Sequence, residues 1–211
     1  MPVRKPLTLL LATAAATAAV AGIGLAATPA LASRSAPADQ VFNLTYPVTG
    51  STFIKKINSS IPLGPGTLTS AADLTTSTLT ATLTLPPATG SFKELGFVPV
   101  TATTKLIQVG QATGTFNFNA NTVTTTATAI LQLTSLKVAG LNIGVGNSCE
   151  TSPATITVAS QPGFTFGTGG TLAGTYTIPN FRHCGLATLL INLTLPGPGN
   201  TISLTLGTPT L

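Results

Sequence analysis

Few side chains in this sequence can do chemistry. Its 211 residues hold one histidine, His183, two cysteines, Cys149 and Cys184, and four acids, Asp39, Asp73, Glu94 and Glu150. A nucleophilic triad would need His183 as its base. No Gly-x-Ser-x-Gly turn presents a serine to it, and His183 adjoins a cysteine that has its own use. Glycoside hydrolysis needs two carboxylates flanking one bond. Asp39 falls in the short tail that opens the mature chain, and the sequence pairs none of the other three. Gly167-Thr168-Gly169-Gly170 is glycine-rich but lacks the lysine of a phosphate loop. The expectation is a non-enzyme with no catalytic residue, no cofactor and no metal.

The first residues say where the chain goes. Arg4 and Lys5 precede an uncharged, alanine-rich apolar run from Leu7 to Leu25, and Ala30-Leu31-Ala32 offers small residues where a signal peptidase reads. This predicts a signal peptide over residues 1–32, entering the membrane as a signal helix, with cleavage between Ala32 and Ser33. Residues 33–211 are then the mature chain, read as one domain. No second spanning segment follows, so the membrane is met only through the signal before cleavage. Of nine basic residues, Arg4 and Lys5 leave with the signal. Seven remain against four acids, a net charge of about +3. These cations are scattered and only Lys55-Lys56 adjoin, which excludes a nucleic-acid footprint.

Export also decides the cysteines. In an oxidising compartment, two thiols in one small domain pair, so Cys149–Cys184 reads as a disulfide. In the chain-entropy picture such a bridge stabilises by about 4 kcal/mol. The alternative is a metal site that includes His183. One histidine and two cysteines lack a fourth ligand, and neighbours on a strand point to opposite faces.

The elements that position these groups read as strands. From Leu79 to Leu85 leucine and alanine alternate with threonine, a half-buried strand that Pro86-Pro87 ends. Residues 115–118 and 122–133 flank Asn119-Ala120-Asn121 as a hairpin. A second hairpin is expected from 189–195 and 201–206 around Pro196-Gly197-Pro198-Gly199-Asn200. Further strands are expected at 41–46, 97–107, 136–143, 154–159 and 171–178, with turns at Gly64-Pro65-Gly66 and Thr89-Gly90-Ser91. The fold class is all-β, an antiparallel β-sandwich with one intradomain disulfide. A membrane-spanning barrel also alternates, but it wants aromatic girdles. This chain has no tryptophan and two tyrosines. Asn43-Leu44-Thr45, Asn58-Ser59-Ser60 and Asn192-Leu193-Thr194 match the N-glycosylation pattern.

Residues 148–153 (Ser-Cys-Glu-Thr-Ser-Pro), 170–179 (ending Gly-Thr-Tyr-Thr-Ile-Pro), 180–185 and 197–201 carry a likeness. Over roughly 136–206 the chain resembles a group of secreted actinobacterial β-rich proteins whose function is not established. The resemblance implies an exported β-rich domain with one disulfide and brings no catalytic residues.

Two functions fit these observations. One is a non-catalytic extracellular or cell-envelope protein, a binding or structural module whose partner is an envelope polymer, a protein or a lipid. The other is a carrier that holds an apolar small molecule between its sheets.

Overall fold

The structure, a computed structural model, describes residues 40–94 and 96–211. The signal segment, the Ala32–Ser33 cleavage point and Asp39 lie outside them. The strands in chain order are β1 (Val41–Ile54), β2 (Ser59–Asp73), β3 (Thr78–Thr84), β4 (Ala88–Glu94), β5 (Val98–Gln108), β6 (Ala112–Asn117) and β7 (Thr122–Val138). They continue as β8 (Leu141–Asn142), β9 (Glu150–Thr151), β10 (Ala154–Ser160), β11 (Gly170–Ile178), β12 (Phe181–Arg182) and β13 (Gly197–Leu206). One helix, α1 (Thr188–Thr194), precedes β13.

The all-β expectation holds, and the sandwich is corrected. Neighbouring strands pair antiparallel in the order β10-β11-β13-β1-β2-β3-β6-β7, and β7 pairs back onto β10. That last ladder, from Ala154↔Ala129 to Ala159↔Thr124, closes a ring of eight strands where a sandwich would leave two separate sheets. Closure removes the exposed edges of these eight strands, each edge a row of unpaired backbone groups, whereas β4 pairs with β5 alone. Two staves of the barrel are interrupted. β3 passes through Pro86-Pro87 into β4, and β5 passes through Val109–Gln111 into β6; β4 pairs with β5, and β5 runs beside the second half of β7. Gln108 bridges one break: its amide accepts from the Leu83 N–H at 2.8 Å and donates to the Ala81 and Gly110 carbonyls at 2.9 Å.

Alternation sets the faces. Leu79 and Ala81 are buried and Thr82 and Thr84 are exposed, as the sequence predicts. Inward positions are aliphatic or aromatic along the strands, and Leu133, Val48 and Ile191 are almost fully buried. Threonine covers the outside. Thr80, Thr113, Thr126, Thr157, Thr175 and Thr201 lie directly opposite one another across six consecutive strands. Thr126 and Thr157 share a hydroxyl hydrogen bond of 2.9 Å.

Three predicted turns are strand, one of them Gly197–Asn200, which opens β13. Thr89-Gly90-Ser91 lies within β4, and Gly64-Pro65-Gly66 lies within β2. There Gly64 and Pro65 oppose Thr49 alone, a β-bulge, and Gly64 takes φ +88°. Gly174 serves closure differently: a Cβ there would be driven into the Thr157 carbonyl, so the strands can bend this close only around glycine.

Residues 189–195 were expected as a strand and form α1 with its C-terminal cap. Leu189, Ile191, Leu193 and Leu195 alternate, but Ala187 and Ile191 also stand one helical turn apart, and these two are the buried pair. The Asn192 side chain settles the choice. It accepts from the Phe181 N–H at 2.7 Å and donates to the Phe181 carbonyl at 2.9 Å, completing the edge of β12. Pro196 follows the helix, where no further turn could form.

Candidate functional site: an apolar lumen with two unlike ends

The chemistry-bearing residues do not converge. Asp73 lies at the barrel end where β2 finishes. It caps the turn into β3, accepting from the Thr75 N–H at 2.8 Å and the Thr76 hydroxyl at 2.7 Å. These bonds hold its carboxyl below the ordinary range. Glu94 and Glu150 stand toward the opposite end, the first closing β4 and the second paired with Arg182 across β9 and β12. His183 is exposed at φ +58°. Among the described residues no three of His, Cys, Asp and Glu stand close enough to hold a metal. Gly167-Thr168-Gly169-Gly170 closes a tight loop between β10 and β11, tied by the Thr165 N–H to Gly169 carbonyl bond of 2.8 Å.

Cys149 and Cys184 are disulfide-bonded, 35 residues apart and fully buried. The bridge joins the segment leading into β9 to the segment leaving β12. It braces the two short strands on which α1 stands.

What the barrel does bring together is apolar. Its interior holds two cavities, of about 100 Å³ and about 80 Å³. The upper is lined by residues such as Leu68, Leu79, Ala127, Leu172 and Leu204. The lower is lined by Ile54, Leu63, Ala102, Leu131 and Ile178, among others. Leu106, Ile156 and Ile202 line both, so these side chains stand between them. Most of the polar groups inside are already partnered. Thr52 and Tyr176 share a hydroxyl hydrogen bond of 2.7 Å, Thr52 also donates to the Thr201 carbonyl at 2.9 Å, and the Tyr46 hydroxyl donates to the Phe166 carbonyl at 2.9 Å. Burial raises both phenols above the ordinary tyrosine range, and the Thr52 bond opposes this at Tyr176. Asn200, almost fully buried, accepts from the Lys55 N–H and donates to the Gly197 carbonyl at 2.8 Å. Among the described residues no buried side-chain nitrogen or oxygen lacks a partner.

The two ends of the lumen differ. At the end where β1 begins, Phe116, Phe118 and Phe164 all pack on Phe166, with ring centroids 5.3–5.6 Å apart. Phe166 borders the upper cavity on its inner side and a surface cleft of about 260 Å³ on its outer side. At the other end Phe181 and Leu195 border the lower cavity, and α1 stands over them.

Sequence reasoning missed this site because no motif marks it. The signal available was the inward set itself, leucine and alanine facing threonine, which serves a filled core and a hollow one alike. Compared with known proteins, the chain matches no family model, no curated protein and no solved structure. The fold and lumen define its class: a closed, disulfide-braced β-barrel with an apolar interior and a threonine-covered exterior.

Proposed function

We propose that this chain is an exported, non-catalytic binding protein whose barrel holds an apolar small molecule. The observation that carries this reading is the pair of adjoining cavities lined almost wholly by aliphatic and aromatic side chains, with Tyr46, Thr52, Gln108 and Tyr176 already partnered. A polar ligand would find few free donors or acceptors there, whereas an apolar one gives up no hydrogen bond to water on entering. Taken together the two cavities exceed the dry cavity of about 150 Å³, lined by Leu, Ile and Phe, that is enough to bind benzene, although each alone is smaller. A small aromatic or a short alkyl chain fits the same description. The polarity of the wall supports a water-surrounded barrel, since a membrane-spanning one needs an apolar band outside. Export rests on the signal sequence, and the buried disulfide accords with an oxidising destination. Among the described residues no helix is long and apolar enough to cross a membrane.

Calorimetric titration with benzene and with 1-octanol tests the reading. Saturable binding to the wild type, lost in Ala129→Leu, is the expected outcome; Ala129 borders the upper cavity and is almost fully buried. At a hundredfold excess over the dissociation constant the ligand should add about 2.7 kcal/mol of stability. No heat and no stabilisation with either probe would sink the proposal.

The row of threonines favours a second reading, in which the outer wall adheres to a polymer of the cell envelope. Its hydroxyls present donors and acceptors at regular strand spacing. Retention on purified wall material, weakened by Thr113→Val with Thr157→Val, would support it; equal retention of the variant would contradict it.

A further inference from the structure

We infer that the face of α1 is a docking surface for an anionic lipid bilayer. The helix buries Ala187 and Ile191 and turns Leu186, Leu189, Leu190 and Leu193 outward. Leu189 and Leu193 are 78% and 70% exposed, and Leu186 is fully so. A cluster of four exposed leucines within about two helical turns is an interaction surface, since a protein surrounded by water gains nothing from it.

Charge identifies the occupant. Of the six lysines and arginines among the described residues, five (Lys55, Lys56, Lys93, Lys137 and Arg182) stand at this end of the barrel, against Glu94 and Glu150. Among the described residues the other end carries Asp73 alone. Lys56 reaches the segment just after α1, donating to the Pro196 carbonyl at 3.3 Å, and Lys55 lies over Gly199. Arg182 is on β12, the strand to which Asn192 of the helix is bonded, opposite Glu150. Leucines that share one barrel end with these cations match a surface that is apolar beneath an anionic layer, where each basic residue adds to the attraction. A second copy of the chain would set these cations against one another.

The placement has a consequence for the lumen. Leu195 and Phe181, which border the lower cavity, belong to the cap and platform of this helix. A bilayer that takes up the leucines therefore meets the lid of the cavity. This consequence rests on the apolar-ligand reading; docking itself does not.

Flotation with phosphatidylglycerol/phosphatidylcholine vesicles tests docking on the ligand-free mature protein. The wild type should float with the anionic vesicles at low salt, and less so at high salt. Pure phosphatidylcholine should take up several-fold less. Leu189→Ser with Leu193→Ser, both exposed, should leave thermal stability unchanged and cut vesicle binding at least tenfold; Lys55→Glu with Lys56→Glu should remove most of the salt dependence. Wild-type protein that stays in solution, or a leucine variant that floats as well as wild type, overturns the inference. So does a concentration-dependent dimer that the leucine substitutions abolish, for then a second copy covers the face. Wild-type protein that floats normally yet binds neither benzene nor 1-octanol would defeat the lumen reading and leave docking standing.

Discussion

The barrel is stopped at one end by phenylalanine rings packed on one another, and at the other by a short helix held on a disulfide-braced platform. The aromatic end depends on local packing: Phe116 and Phe118 come from β6 and the turn after it, and Phe164 and Phe166 from the loop between β10 and β11. The helical end depends on a covalent bond and two hydrogen bonds from one asparagine. Where apolar contact is plentiful, no staple is used. Where the chain turns its leucines to solvent, burial cannot hold the helix and other bonds must.

That contrast can be broken one end at a time. The largest effect is expected from Cys149→Ala with Cys184→Ala, which should lower stability by about 4 kcal/mol. Hydrogen exchange should then quicken across residues 181–195 and leave the phenylalanine end as it was. Uniform quickening would show that the disulfide serves the whole barrel. Phe116→Ala should cost about 3 kcal/mol, measured by urea unfolding, because the residue is buried against Phe166. Its exchange footprint should be the mirror image of the first, confined to the aromatic end.

Tyr176→Phe removes the hydroxyl shared with Thr52 and should cost about 1 kcal/mol at neutral pH. Its pH dependence sharpens the comparison further. Burial holds the phenols of Tyr176 and Tyr46 above their unfolded value of 10.0. The stability tied to their neutral forms is thus complete below about pH 10 and is lost as pH rises through the higher folded values. Alkaline unfolding, followed by circular dichroism, should begin near that pH, and Tyr176→Phe should make it shallower. The smallest effect belongs to Asp73→Asn. The Asp73 carboxyl is held below its unfolded value of 3.8, so its contribution is present above that value and lost as pH falls through the folded one. Being exposed, it should shift the acid midpoint only slightly.

Much of the wall was legible in the sequence. The Leu79–Leu85 alternation separates inside from outside, and the β6–β7 hairpin turns where Asn119-Ala120-Asn121 said it would, with Asn117 accepting from the Ala120 N–H at 2.9 Å. Closure was not legible. A sandwich and a barrel share one period-two pattern, and the difference lies in whether β7 pairs with β10, a register between strands that no local signal specifies. The helix at 188–194 escaped for a related reason. Its leucines satisfy both periods, and the deciding contact, Asn192 on Phe181, is tertiary. That same contact occupies the amide of one of the three glycosylation matches, whereas Asn43 and Asn58 stand exposed. The disulfide was legible from export and count alone, but not its task of holding the leucine helix. The lumen was least legible, because hollowness depends on how far apart facing side chains stand.

The most direct test of the central claim is native mass spectrometry of the mature protein purified from its own host. The account predicts a discrete mass adduct of an apolar small molecule, released by organic solvent and absent from Ala129→Leu. An unliganded mass for the wild type, persisting when benzene and 1-octanol are added in excess, would contradict it.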